Sequence, residues 1–300
     1  MNFMSILLTG ASGFLGKEIE IVIKNSAEII TLGRSNGAMI NCDLSNKIPN
    51  LPLVQMVIHS AGKAHVVPKN YEEEMDFFRV NVQGTSNLLL GLETNTTLKN
   101  VVFISSVAVY GLIEGLNIKE DTPLLASDAY GKSKISAEKL IIDWCTSRNI
   151  NYYILRLPLM AGKNAPGNLG AMVKGIKSGK YLSIGKGSAI KSLVFTTDVA
   201  HFIKTIHGPS GIYNLSDGYN PSFNELESKI ARFYSKKNPI SVPMFVVKLL
   251  GLAGDIIGSK FPINSNKIKK ITSSLTFDDS KARTVLGWAP QEVLKAWQID

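Results

Sequence analysis

Thr9-Gly10-Ala11-Ser12-Gly13-Phe14-Leu15-Gly16 decides the fold of this chain. Before it, Phe3 to Thr9 (FMSILLT) is a short apolar run. After it, Phe14 to Lys24 sets Phe14, Leu15, Ile19, Val22 and Ile23 at helical spacing. A strand, a glycine turn and a helix in that order allow close backbone approach to a ligand, and amides at the helix N-terminus can receive a pyrophosphate. The spacing is Gly-x-x-Gly-x-x-Gly, one residue longer than the Gly-x-Gly-x-x-Gly fingerprint, so alone it is a weak signal. Its place directly after the first strand strengthens it.

The alternation continues outward from that turn. Glu28 to Gly33, Met56 to His59, Val101 to Ser105 and Tyr152 to Leu157 read as strands; Tyr71 to Leu92 and Ala129 to Arg148 read as helices. Alternating elements of this kind predict an α/β fold, a Rossmann-like doubly wound parallel sheet with helices on both faces. Residues 1–160 are expected to form the dinucleotide-binding domain, with residues 190–215 returning to it. After Pro158 the chain turns to Gly/Pro/Asn-rich loops (Gly162 to Asn168), and residues 161–300 are expected to be mainly a smaller substrate-binding lobe. In such sheets ligands sit beyond the carboxyl ends of the strands, which gathers Gly10 to Gly16, His59-Ser-Ala-Gly62 and Ser105-Ser106 on one edge.

Bulk properties narrow the classes. Three hundred residues suffice for a substantial core. No leader pattern and no membrane-length apolar run is apparent, and Cys42 and Cys145 lack metal-ligand spacing, so a cytoplasmic protein with reduced thiols and no metal site is expected. The formal charge of +9 is spread along the chain, and no zinc-finger, RNA-binding or basic-zipper pattern accompanies it, so nucleic acid is not an expected partner.

Tyr130 and Lys134 lie one helical turn apart. An ammonium beside a phenol is expected to lower the tyrosine pKa toward the working pH, as a base for an alcohol requires, with Ser106 placed to hydrogen-bond the reacting oxygen. Taken alone the pair reads as an exposed tyrosine and lysine near a helix start; the glycine turn ahead of it reverses that preference.

With these pieces the chain resembles an extended short-chain dehydrogenase/reductase of the sugar-nucleotide epimerase/dehydratase group. The matching stretches are Thr9 to Gly16, Asp43-Leu44, His59 to Gly62, Asn81 to Thr85 (NVQGT), Ile104 to Gly111 (ISSVAVYG), Tyr130 to Lys134 (YGKSK), Leu155 to Pro158 (LRLP), Val194 to Asp198 (VFTTD) and Leu286 to Trp288 (LGW). The resemblance implies a Ser106, Tyr130, Lys134 catalytic triad. It implies a nicotinamide dinucleotide held by Gly10, Ser12, Gly13, Phe14, Leu15, Gly16, Asp43, Leu44, Ala61 and Gly62, with Asn81 supporting the site and Tyr130 and Lys134 also on the cofactor. Asn168 and Lys191 match regions that touch a nucleotide sugar; Lys191 stands where relatives often have arginine, giving a point charge in place of a bidentate fork. A homodimer through the helices around Tyr71 to Leu92 and Ala129 to Arg148 is also implied, although those apolar faces would equally suit packing on the sheet.

Two departures shape the expected reaction. Relatives that dehydrate at C5 and C6 carry Asp-Glu just after the catalytic Ser/Thr, and this chain has Val107-Ala108. A 4,6-dehydratase is therefore not expected. The second strand ends Thr31-Leu-Gly-Arg-Ser35, with Arg34 and no carboxylate where a ribose 2'-hydroxyl would be bound, which favours NADP over NAD. The leading expectation is a 4-ketoreductase of a UDP-linked 4-keto-6-deoxy sugar for surface polysaccharide synthesis. The alternative is a UDP-sugar 4-epimerase of the glucose or N-acetylglucosamine type, with a polyprenol-diphosphate carrier open; a non-catalytic NADP-binding sensor is disfavoured because Ser106, Tyr130 and Lys134 are all present.

Val242 to Gly258 is strongly apolar and is followed by Lys260, Lys267, Lys269 and Lys270. Peripheral contact with an anionic membrane is one reading. A helix packed into the substrate lobe, with solvated lysines behind it, is the favoured one. His59, His65, His201 and His207 show no pairing that suggests catalysis, and His59 reads as structural.

Overall fold

Alternate residues of each central strand are buried on opposite faces, and this sets the layering. In the computed structural model, which describes residues 4–64, 66–257 and 264–299, seven strands build the central sheet. They are β1 (Ser5–Thr9), β2 (Glu28–Gly33), β3 (Ile40–Asn41), β4 (Met56–His59), β5 (Asn100–Ser106), β6 (Asn151–Leu157) and β7 (Gly211–Asn214). Their spatial order is β7-β6-β5-β4-β1-β2-β3, and every pairing is parallel. The order reverses between β1 and β4, which opens a crevice beyond their carboxyl ends. His65, Gly258 and Lys260 lie outside the described residues.

The helices are α1 (Phe14–Ile23), α2 (Tyr71–Phe78), α3 (Gly84–Gly91), α4 (Ala129–Ser147), α5 (Gly167–Lys177), α6 (Thr196–Thr205), α7 (Phe223–Phe233), α8 (Met244–Ile257), α9 (Ser265–Thr272), α10 (Ser280–Leu286) and α11 (Val293–Ala296). Ile6 and Leu8 of β1 join α1, α6 and α10 in one core cluster, while Leu7 faces the other way into a cluster with α3 and α4. A third core, built from Leu169, Met172, Leu226, Ile230, Val293 and Trp297, lies among α5, α7 and α11. Three short parallel strand pairs complete the fold: Leu159–Ala161 with Leu193–Phe195, Leu182–Ile184 with Ile240–Val242, and Gly115–Ile118 with Leu275–Phe277.

Two expectations need correction. The helix over 71–92 is not continuous: a π-helical turn at Arg79–Gln83 separates α2 from α3. The wider turn re-aims one side chain, and the residue buried within it is Asn81. The apolar segment does form a helix, over Met244–Ile257, but not one whose large side chains pack into a lobe. Val247, Gly251 and Gly254 face inward, whereas Phe245, Leu249, Leu252 and Ile256 are exposed.

Arg156 is the largest fully buried side chain. Its Nη2 donates to Glu138 Oε2 at 2.7 Å and its Nε to Glu138 Oε1 at 3.1 Å, while Nη1 reaches the Tyr110 hydroxyl and the Glu120 carbonyl, both at 3.1 Å. Ser105 donates to Glu138, and Tyr110 donates to Asn214 at 2.7 Å. The network thus ties α4 to β5, β6 and β7. Removing one partner of such a pair leaves an unpaired buried charge, whereas removing both leaves an apolar contact. Arg156→Met is expected to cost about 3–5 kcal/mol in urea denaturation. Glu138→Leu combined with Arg156→Met is expected to cost less than either single change; a simple sum of the two losses would show that they act independently.

Candidate active site

At the mouth of the crevice the glycine turn leaves no room for side chains. Gly10 has φ +74°, and a Cβ there would stand 2.6 Å from the Ala61 nitrogen; a Cβ on Gly16 would stand 2.0 Å from the Gly10 carbonyl oxygen. Gly13 caps α1 without any side-chain hydrogen bond, and the first turn holds no acidic residue. The amides of Phe14, Leu15 and Gly16 therefore have no partner within the helix, and the positive end of its dipole faces the crevice. A pyrophosphate fits this cradle, because only a bare backbone can approach it so closely. Ser12 is exposed and Phe14 half-buried, while Leu15 and Leu44 bury their side chains in the core and offer a ligand only backbone.

Arg34 is exposed immediately after β2. Asp43 is nearby: burial pushes its carboxyl up, but hydrogen bonds from Ser45, the Arg34 charge and the Asn46 amide prevail and hold it below the ordinary value. Its oxygens accept from the Ser45 amide at 3.0 Å, the Ser45 hydroxyl at 2.7 Å and Asn46 Nδ2 at 3.3 Å, so the carboxylate braces its own turn.

His59 locks the next loop. Its Nδ1 lies 2.7 Å from Thr9 Oγ1 and its Nε2 2.9 Å from Thr85 Oγ1. Thr85 spends its proton on the Asn81 carbonyl at 2.6 Å, so it accepts from His59, which is then the Nε2–H tautomer. Burial, with Lys134 nearby, drives the His59 pKa down to about 3, and the ring stays neutral. Thr9 Oγ1 in turn accepts the Ala61 amide at 3.1 Å. Asn81 has a similar task. Its Oδ1 accepts the Lys63 amide at 2.7 Å, and its Nδ2 donates to the Lys63 carbonyl at 3.1 Å and to Ser133 Oγ at 2.9 Å. That commits both amide protons and one of the two lone pairs of Oδ1, so Asn81 fastens the loop over 61–63 to α4.

The Ala61-Gly62 loop meets α4 directly, since a Cβ on Gly62 would lie 3.0 Å from Asn81 Oδ1 and 3.8 Å from Lys134 Nζ. Asp128 caps α4 by accepting the Gly131 amide at 2.9 Å, which sets Tyr130 in the first turn and Lys134 one turn below. Ser106 ends β5 and hydrogen-bonds Tyr130. Ser106, Tyr130 and Lys134 thus converge at the carboxyl edge beside the glycine turn.

The electrostatics differ from expectation. Tyr130 lies above its ordinary pKa: burial raises it, and neither the Ser106 hydrogen bond nor anything else offsets this, while Asp128 adds to it. Lys134 does not act on it, because its Nζ donates to the Ile104 carbonyl at 2.6 Å and lies 4.3 Å from the centre of the Phe103 ring. Burial lowers the Lys134 pKa to about 8, against the upward pull of Glu138. Tyr130 is therefore a phenol here, a proton donor before it is a base.

On the far side, Asn168 is exposed in the first turn of α5. Lys191 is half-buried, its Nζ donates to the Lys270 carbonyl at 3.0 Å, and burial lowers its pKa to about 8. Among the described residues no hydrogen bond links Asn168 or Lys191 to the triad, and no cluster of His, Cys, Asp and Glu could hold a metal. Sequence reasoning passed over Ser133, Glu138 and Arg156. The available signals were a serine inside Tyr130-Gly-Lys-Ser-Lys134, a glutamate one turn beyond Lys134, and a lone arginine inside the apolar strand over 151–157.

The model of the NAD dependent epimerase/dehydratase family matches residues 6–215. An N-acetyl-α-D-glucosaminyl-diphospho-ditrans,octacis-undecaprenol 4-epimerase of Escherichia coli O157:H7 is 31% identical over 69% of this chain and 66% of its own length. A UDP-glucose 4-epimerase of Vibrio cholerae is 28% identical over 97% of this chain and 92% of its own. Among solved structures, the UDP-glucose 4-epimerase of Thermotoga maritima with UDP-glucose has a TM-score of 0.75 at 18% identity, covering 97% of this chain and 96% of that one. Folds of this kind occur with either cofactor. The UDP-glucuronic acid 4-epimerase of Bacillus cereus was solved with NAD (TM-score 0.72, 20% identity, 97% of this chain and 95% of that one). RMD of Pseudomonas aeruginosa was solved with NADPH (TM-score 0.71, 21% identity, 97% and 95%). With the cradle, the triad and the sheet order in agreement, the chain belongs to the NAD dependent epimerase/dehydratase family.

Proposed function

We propose that this protein is a nicotinamide-dependent oxidoreductase acting at C4 of a nucleotide-linked sugar, and that its reaction is reduction of a UDP-linked 4-keto-6-deoxy sugar for surface polysaccharide. The observation that carries this reading is Arg34, exposed directly beyond β2 where a guanidinium would donate to the 2'-phosphate of NADPH; the strand itself ends without a carboxylate, and the nearby Asp43 is bonded to Ser45 and Asn46. A bound dinucleotide supplies the hydride. The protein supplies the proton: Tyr130, a phenol, donates to the C4 oxygen, and Ser106 hydrogen-bonds the same oxygen. Stabilising the phenolate left behind would require the Lys134 ammonium to leave the Ile104 carbonyl and turn toward Tyr130, one turn earlier on the same face of α4. Val107 and Ala108 offer no acid or base for dehydration.

The second reading, a sugar 4-epimerase on a UDP or undecaprenol-diphosphate carrier, is favoured by the activities named for the relatives. Both reactions need the same serine, tyrosine and lysine, so likeness in that cluster does not separate them. A homodimer across α3 and α4 belongs to the same proposal, supported by the open groove that Leu90, Leu140 and Trp144 line there.

Mass spectrometry of dinucleotide released on denaturation, followed by titration of the emptied protein, decides between the readings. An empty site preferring NADPH is expected; co-purified NAD without that preference would move the assignment to the epimerase, and binding of neither would remove both. Tyr130→Phe is expected to keep dinucleotide affinity while losing about 10²–10⁴-fold in turnover. In the reductive direction kcat/KM is expected to fall as pH rises through about 8, where Lys134 loses its proton while Tyr130 keeps its own. A profile flat to pH 10 would separate Lys134 from the proton transfer.

A further inference from the structure

Helix α8 is built inside out. Phe245, Leu249, Leu252 and Ile256 follow one another at helical spacing along one stripe, and they are 68%, 63%, 57% and 87% exposed. Its inward face carries Val247, Gly251 and Gly254, and a Cβ on Gly251 would collide with Ile268 of α9. The small residues thus serve the close packing of α8 on α9, and the large apolar ones are left outside. Core burial explains the opposite pattern.

We propose that the outer face of α8 docks on an anionic lipid surface, with the helix lying in the plane of the interface. The helix that carries the stripe has 14 residues and is about 21 Å long. It is aliphatic with one phenylalanine and carries no hydrogen-bonding side chain, which suits acyl chains better than a protein partner, whose contact surface would mix polar anchors with apolar ones. Lys248 is exposed on α8 next to Leu249, α9 carries the exposed Lys270 and Lys269, the latter 3.3 Å from Glu114, and the whole chain carries +9, a charge that suits an anionic headgroup layer. The one acidic residue of α8, Asp255, accepts the Ser265 amide at 3.1 Å at the junction with α9. Among the described residues no helix is long and apolar enough to cross a bilayer, which leaves docking on the surface as the mode for this helix.

The contact needs neither cofactor nor sugar, so it stands or falls independently of the proposed reaction. Full-length protein is sedimented with phosphatidylcholine vesicles, with and without phosphatidylglycerol. Wild type is expected in the pellet with the anionic vesicles, less so at high salt, and Phe245→Glu with Leu249→Glu is expected to lower partitioning more than about tenfold with an unchanged melting curve. Leu252→Ser with Ile256→Ser is expected to do the same, which keeps the test open if the first pair fails to fold. Wild type remaining in the supernatant would overturn the proposal, as would either folded variant binding like wild type. A wild-type dimer that these substitutions turn into monomer, without vesicle binding, would assign the stripe to a second copy of this chain and also overturn it.

Discussion

A single buried ion pair holds α4, the helix that carries Tyr130 and Lys134, in register with the sheet. Arg156 and Glu138 are both almost fully buried, and a guanidinium in that position is tolerable only because its donors end on Glu138, Tyr110 and Glu120. The pair joins the middle of α4 to β6. Through Tyr110 and Asn214 it also reaches the carbonyls of Ile118 and Asp278, where the chain comes back from its last third. Hydrogen bonds to a fixed guanidinium plane are directional in a way that apolar contacts are not. The rotation of α4 about its own axis is therefore set by chemistry as well as by packing.

That rotation determines the site. Lys134 and Glu138 are successive turns of one face, so fixing Glu138 against Arg156 fixes Lys134 over the Phe103 ring and under the Ile104 carbonyl. Tyr130 follows one turn earlier, and Asp128 stops the helix from unwinding there. A second set of bonds comes from the opposite side. The π-helical turn drives Asn81 inward, where it fastens the Lys63 backbone to Ser133, and Ser133 donates to the Tyr130 carbonyl at 2.8 Å. Tyr130 and Lys134 are thus held from below by charge and from the side by an amide.

The electrostatic consequence runs against simple proximity. An ammonium one turn from a phenol need not act on it: Lys134 spends its Nζ on a carbonyl, and Tyr130 remains protonated. A tyrosine in that state holds a proton that it can donate, as the proposed reduction requires.

Much of this was legible in the sequence. The strand, glycine turn and helix from Ser5 to Ile23, the central strands as elements of a parallel sheet and the convergence of Gly10, Gly62 and Ser106 on one edge follow from periodicity of apolar residues and from turn chemistry, both local properties of the chain. The short edge strands β3 and β7 were not legible, because a few residues of ordinary composition become strand only when a neighbour pairs with them. The π-helical turn hid within a helical pattern for a similar reason: the cost of an extra residue in a turn is met by contacts Asn81 makes far along the chain. Glu138 and Arg156 were visible as residues but not as partners. Likewise Lys134 was assigned to Tyr130 by spacing, and the protonated state of the tyrosine emerged only with the Ile104 carbonyl in place. The apolar run of α8 showed that a helix would form and how hydrophobic it would be. Which of its faces meets protein is settled by where α9 stands. Local sequence dictates which elements form, because backbone propensity and amphipathic period act over a few residues; burial, and with it the charge state of each buried group, depends on what the rest of the chain brings alongside.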